Sequence, residues 1–114
     1  MTIEQRLAGL GIIIFTGSSL AAFINNQENT VSTVSEALKM RDDSPVVLQG
    51  HIQQHIRKDK YLFTDSTGKI TVEIDDKDWN GVDVGPSNIV RIHGEIDKDW
   101  HSTEVDVNTI KLIQ

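Results

Sequence analysis

Between Val46 and Leu112 apolar side chains recur at every second position in short runs, the pattern of strands with one dry face. In the first run Val46, Leu48, Gly50, Ile52 and, further on, Ile56 share one parity, while Val47, Gln49, His51 and Gln53 take the other. The second run, Lys60 to Asp65, places Tyr61 and Phe63 on one side. Turn residues Ser66-Thr67-Gly68-Lys69 follow, then Ile70, Val72 and Ile74 alternate with Thr71, Glu73 and Asp75, so the second and third strands form a hairpin. From Asp76 to Asn88 the period lapses into breakers with room for no more than one helical turn. Val90, Ile92, Gly94 and Ile96 make the fourth strand. Val105 and Val107 then change phase to Ile110 and Leu112, which predicts a fifth strand with a bulge near Asn108.

Five short strands with the longest gap between the third and fourth predict a mainly β protein, a Greek-key barrel of the OB type, whose closure removes exposed sheet edges. Gly50 and Gly94 sit at inward positions in mid-strand, where a missing side chain lets a tight barrel coil. The alternative is an open five-stranded sheet with one helix across it. That helix is predicted at about Val34 to Arg41: Thr33 and Glu36 form a capping box, and Asp42-Asp43-Ser44-Pro45 ends it.

The chain has 114 residues and a formal net charge of −6, which suits one domain and opposes capture of nucleic acid through phosphate contacts. It has no cysteine, which excludes disulfides, a thiolate nucleophile and thiolate zinc ligation. Residues 1–21 read as a signal peptide: a weakly charged start, the apolar run Leu7 to Phe15, then small residues, with cleavage after Ala21 favoured over Ala22. An uncleaved anchor is the competing arrangement, because residues 7–24 carry no charge. Residues 22–32 are expected to be a flexible lead-in and residues 33–114 the folded domain, with no stable membrane anchor after processing.

Several segments resemble a known family. Tyr61-Leu-Phe-Thr-Asp-Ser-Thr-Gly-Lys-Ile70, Val72-Glu-Ile-Asp75, Trp79 with Gly81, Val90-Arg-Ile-His-Gly-Glu-Ile-Asp-Lys98 and Glu104-Val-Asp-Val107 resemble the bacterial OB-fold family of the YgiW/YdeI stress-tolerance type. The likeness covers roughly residues 33 to 113, and its most specific pieces are Phe-x-Asp-x-x-Gly and Arg-x-x-Gly-Glu-x-Asp-Lys. It implies a signal peptide, a periplasmic location, an OB barrel without a nucleic-acid role, an association with envelope stress tolerance, and no catalytic residues. The basic residue that the family often carries between the hairpin Phe and Asp is Thr64 in this chain, so a surface role for that charge is not implied here.

OB folds usually bind at the mouth between the loop joining strands one and two and the loop joining strands four and five. The ligand-binding candidates are therefore His55, Arg57, Lys58 and Lys60 on the first loop, with Lys98, Trp100 and His101 on the second, beside Asp97. An aromatic beside cations and hydrogen-bonding groups suits a glycan or an anionic envelope component; a solvated rim with Trp100 lying over the core is the plainer alternative. Asp75, Asp76, Asp78, Asp97 and Asp99 gather on two Asp-Lys-Asp-Trp turns, but the glycine and spacing of a calcium loop are missing. His51 and His93 have outward parity on strands one and four, and His55 and His101 lie near loops, yet no metal-binding or nucleophile motif accompanies them. The expectation is a periplasmic, non-enzymatic module for an envelope glycan, small molecule or protein, with no cofactor, metal or catalytic residue. The rival readings are a binder of metal or cationic peptides and, behind it, a small envelope enzyme.

Overall fold

The computed structural model describes residues 30–114. The expected signal peptide, its cleavage site and most of the lead-in lie outside those residues. Seven elements follow in order: α1 (Val34–Ala37), β1 (Pro45–Arg57), β2 (Lys60–Asp65), β3 (Gly68–Glu73), α2 (Asp76–Trp79), β4 (Val90–Lys98) and β5 (Thr103–Leu112). The strands close into a barrel in the order β1-β2-β3-β5-β4, all pairs antiparallel except β3 with β5. This is the Greek-key OB barrel expected from the strand spacing, not the open sheet.

The inward parity holds for most of the predicted positions. Leu48, Phe63, Val72, Ile74, Val90, Ile92, Ile96, Val105 and Val107 are buried in one core, with Val34 and Ala37 of α1 packed into it. Three positions differ. Ile56 is 42% exposed because two register irregularities in β1, between Ile52 and Gln54 and between His55 and Arg57, break the alternation after Ile52. Leu112, at the last residue of β5, is 43% exposed, beyond the closed part of the core. Tyr61 is half-buried and packs against the core's edge. The bulge predicted near Asn108 is present: His93 faces Thr109 and the next residue, Gly94, faces Val107, so Asn108 is the unpaired residue.

Both barrel glycines stand where strands come too close for a side chain. A Cβ on Gly50 would lie 2.2 Å from the Thr64 carbonyl oxygen, and one on Gly94 would lie 2.2 Å from that of Asp106. At Gly50 strand β1 changes partner, pairing with β4 through Gly50 and with β2 from His51 onward. The strand has to coil sharply there, and glycine alone leaves the space.

Helix α1 is one turn long rather than the predicted Val34 to Arg41. Its capping box forms as expected: the Glu36 amide donates to Thr33 Oγ1 and the Thr33 amide to Glu36 Oε1. After Ala37 the bonds tighten to three-residue spacing, from Lys39 to Glu36 and from Met40 to Ala37. Asp43 then adopts a left-handed φ of 68°, so that its amide reaches the Ile96 carbonyl while the Ile96 amide reaches Ser44. Docking this connection against β4 ends the helix sooner than propensity does. Ser32 also bridges β1, its amide donating to the Val47 carbonyl at 2.7 Å, which ties the end of the lead-in to the barrel wall.

The Phe-x-Asp-x-x-Gly segment ties the β2–β3 hairpin to the helix. Phe63 fills the core, while Asp65 Oδ1 accepts from the Thr67 amide and hydroxyl and from the Gly68 amide, folding the two-residue turn. Asp65 Oδ2 accepts from the Val34 amide, and Thr67 Oγ1 from that of Ser35, satisfying two donors at the start of α1.

Candidate functional site

The two rim loops are short hairpin turns, each held by hydrogen bonds to its backbone. Between β1 and β2 only Lys58 and Asp59 intervene, and Lys58 takes a left-handed φ of 45°. A 2.6 Å hydrogen bond joins His55 Nε2 to the Lys58 carbonyl, and the Ile74 amide donates to the Asp59 carbonyl. The His55 ring stacks on Tyr61 at 4.6 Å between centroids, and Tyr61 meets the edge of Trp79 at 5.2 Å. This row of three rings brings α2 over the barrel end, so Trp79 is the tryptophan that packs against the core. Strand parity puts Tyr61 in the core and leaves Trp79 without a partner, because it cannot show that a helical turn in the next connection leans back on the strand.

Trp100 behaves differently. It is 93% exposed at the tip of the β4–β5 hairpin, with His101 tilted against it at 5.2 Å. The turn beneath it is fixed: Asp99 Oδ1 accepts from the amides of His101 and Ser102 at 2.8 and 2.9 Å, and the Asp99 amide donates to Ser102. Those amide bonds hold the Asp99 carboxyl below its ordinary range. Trp100 therefore does not lie over the core.

The candidates from the two loops form separate groups. Arg57 and Lys58 are exposed at the β1–β2 turn, and Lys60 pairs with Glu104 at 2.6 Å. Lys98 faces the connection after α1 instead, its amide donating to Asp42 Oδ1 and its Nζ to the Leu38 carbonyl. Among the described residues no hydrogen bond, ion pair or ring contact joins His55, Arg57, Lys58 and Lys60 to Lys98, Trp100 and His101. The histidines are also dispersed. His93 is paired with Val47, whereas His51 is paired with Thr64 and donates through Nδ1 to the Asn88 carbonyl at 2.8 Å.

The carboxylates gather in a way that the two Asp-Lys-Asp-Trp turns do not suggest. Oxygens of Asp59, Glu73 and Asp75 lie within 4.8 Å of one another, and cross-strand register puts Glu73 opposite Asp106 and Asp106 opposite Glu95. The trio draws on two segments, the β1–β2 turn for Asp59 and the end of β3 running into α2 for Glu73 and Asp75. Desolvation pushes the Glu73 carboxyl up, as do Asp106, Asp75 and Asp59, against the pull of Lys60. Asp106 is raised by desolvation and by Asp75, Asp97 and Asp78, and Asp59 by desolvation and a hydrogen bond shared with Asp75. Asp65 runs the other way: its desolvation is outweighed by bonds from Thr67, Val34 and Gly68, which hold it low.

These directions fix the sign of a stability profile. A carboxyl raised on folding stabilises the fold fully below its unfolded value and loses that contribution as pH rises through the folded one. Acidifying from neutrality into the ordinary carboxylate range should therefore raise the melting temperature, through Glu73, Asp106 and Asp59. Below the ordinary carboxylate range, protonation of Asp65 and Asp99 should lower it again. Glu73→Gln should flatten that rise, measured by thermal unfolding across pH; a melting temperature that falls steadily from neutrality would contradict the assignment.

Among the described residues, shallow depressions also lie outside the rim. One, of about 170 Å³, lies between α2 and the β5 bulge, and another, of about 310 Å³, lies on the outer wall of β1 and β2.

A closed five-stranded barrel in this strand order, with short rim hairpins and helical turns at its ends, defines an OB-fold protein. The sequence matches the family described as Bacterial OB fold (BOF) protein over residues 16–112, and the chain belongs to that family. It is 49% identical over 84 residues to Protein YgiW of Escherichia coli K12, covering 74% of this chain and 65% of that protein, so it spans about two thirds of that relative's length. The solved structure of the E. coli YgiW protein superposes with a TM-score of 0.74 at 48% identity, covering 75% of this chain and 91% of that one. The Calcium-regulated OB-fold protein CarO of Pseudomonas aeruginosa is 42% identical over 85 residues, covering 75% of this chain and 73% of that protein. These relatives carry no enzymatic name.

Proposed function

We propose that this chain is a non-enzymatic binding module of the periplasm that docks an envelope ligand, a glycan, small molecule or protein, on its barrel rim and serves stress tolerance there. The observation that carries the reading is Trp100, held in water on a turn that Asp99 keeps rigid. A large aromatic surface offered on a fixed backbone loses little entropy on binding. Covering half of an indole contributes about 2–3 kcal/mol, enough for roughly thirtyfold in affinity or more. Among the described residues no hydrogen bond joins the ring of His101, which lies beside Trp100, to a carboxylate, and this favours recognition over chemistry. The leader-like first 21 residues support the periplasmic part of this reading.

The test is retention of the mature protein on purified envelope fractions, compared with Trp100→Ala. Retention should fall about thirtyfold, while stability to urea changes by less than about 0.5 kcal/mol, as expected of an exposed side chain. Equal retention of both proteins would overturn the reading. The rival, a binder of cations at the acidic face, has support in the close approach of Asp59, Glu73 and Asp75 and in the name of the calcium-regulated relative. Calcium titration followed by the fluorescence of Trp79, on the helical turn that Asp75 begins, separates the two: a saturable change that survives Trp100→Ala favours the cation.

A further inference from the structure

The net charge of −6 is not spread evenly over the barrel wall. Outward residues of β3, β4 and β5 place Glu73, Glu95, Glu104 and Asp106 on one side. Around the wall, cross-strand register lines up a row of the opposite sign: Lys111 faces Arg91, Arg91 faces Gln49, and Thr64 faces both His51 and Lys69. Facing residues on one side of a sheet have Cβ atoms about 4.5–5.5 Å apart, so Lys111 and Arg91 repel each other. Among the described residues no carboxylate pairs with Lys69, Arg91 or Lys111. A chain with surplus acid has left this row uncompensated.

The row borders the depression of about 310 Å³, whose lining includes Gln49, His51, Thr64, Asp65, Ser66 and Ile89. Arg91 grips Gln49 Oε1 through Nε at 3.1 Å and Nη2 at 2.8 Å, which leaves the Gln49 amide nitrogen free to donate. His51 donates its Nδ1–H to the Asn88 carbonyl, which leaves its Nε2 to accept from an acidic phosphate hydroxyl. Thr64 and Ser66 add hydroxyls. The one carboxylate in that lining, Asp65, has both oxygens occupied by the hairpin turn and by the start of α1.

We propose that this outer groove binds a phosphate group, with Gln49, His51, Thr64 and Ser66 as hydrogen-bonding partners and Arg91 and Lys69 supplying positive charge at its borders. A tetrahedral oxyanion takes several donors from different directions, which suits side chains converging from two strands and a turn. The site is independent of Trp100 and of the rim.

The test uses amide NMR of the full chain titrated with inorganic phosphate and with glycerol phosphate. Shifts should concentrate at Gln49, His51, Thr64 and Ser66, and Arg91→Gln or Lys69→Glu should each weaken binding about tenfold. Lys69 is exposed, so its variant keeps the fold when removal of Arg91 disturbs Gln49. Tighter binding of glycerol phosphate assigns the groove to a phosphate carried on a larger molecule, and tighter binding of inorganic phosphate to the free ion; both support the site. Absence of shifts at these amides, or shifts that both variants leave unchanged, overturns it. Trp100→Ala should retain phosphate binding, which separates failure of this site from failure of the rim.

Discussion

Alanine at Gly94 is expected to cost the barrel more than about 3 kcal/mol, measured by urea denaturation, and to leave little soluble folded protein if total stability is at the low end of the usual range. The reason is the nature of the obstacle. A Cβ at this position lies 2.2 Å from the Asp106 carbonyl oxygen and 2.9 Å from its carbon, both of them backbone in the neighbouring strand. A flexible side chain could rotate away, but β5 cannot shift without breaking its pairing with β3 and β4. Gly85→Ala is the control: its Cβ would meet only Asn88 Oδ1, at 3.5 Å, and the expected change is below about 1 kcal/mol. Similar losses for the two variants would mean that Gly94 is not a closure point.

Phe63→Ala is expected to cost about 3–5 kcal/mol by the same measurement, the usual penalty for emptying a fully buried aromatic site. Its ring fills the space left by the missing side chain at Gly50, where a Cβ would lie 3.1 Å from Phe63 Cζ. The two positions look complementary, yet a smaller residue at 63 should not rescue Gly50→Ala, because the nearest obstacle there is the Thr64 carbonyl oxygen at 2.2 Å. Recovery of stability in Gly50→Ala with Phe63→Leu, relative to the sum of the single variants, would show that the ring and not the backbone sets the limit.

Both predictions concern positions that the strand pattern itself marks. Gly50 and Gly94 interrupt apolar alternation at inward positions, and a residue with nothing to bury in such a place has a steric reason to be there. The hairpin of β2 and β3 and the bulge at Asn108 are legible for a related reason, since a slip of one residue in a strand reverses the face of every residue after it. The helix is legible at its start and not at its end. Thr33 and Glu36 cap α1 locally, whereas its termination depends on Asp43 and Ser44 bonding to Ile96, far along the chain.

The candidate site is legible only in part. Both rim loops carry the residues that the sequence singles out, but the fold sets them in two groups. Glu73 and Asp75 share one strand parity, but the approach of Asp59 to them and the alignment of Lys111, Arg91 and Gln49 have no local signal. Each is assembled from segments that meet only through strand register.

What this sequence determined alone is the parity of most strand positions, the closure points at Gly50 and Gly94 and the capped start of α1, because those depend on the backbone and on near neighbours. Which charges face one another, where the wall is acidic and where basic, and which tryptophan packs and which stands in water were decided by tertiary structure. Barrel closure sets the register between strands distant in sequence, and charge and burial follow from that register.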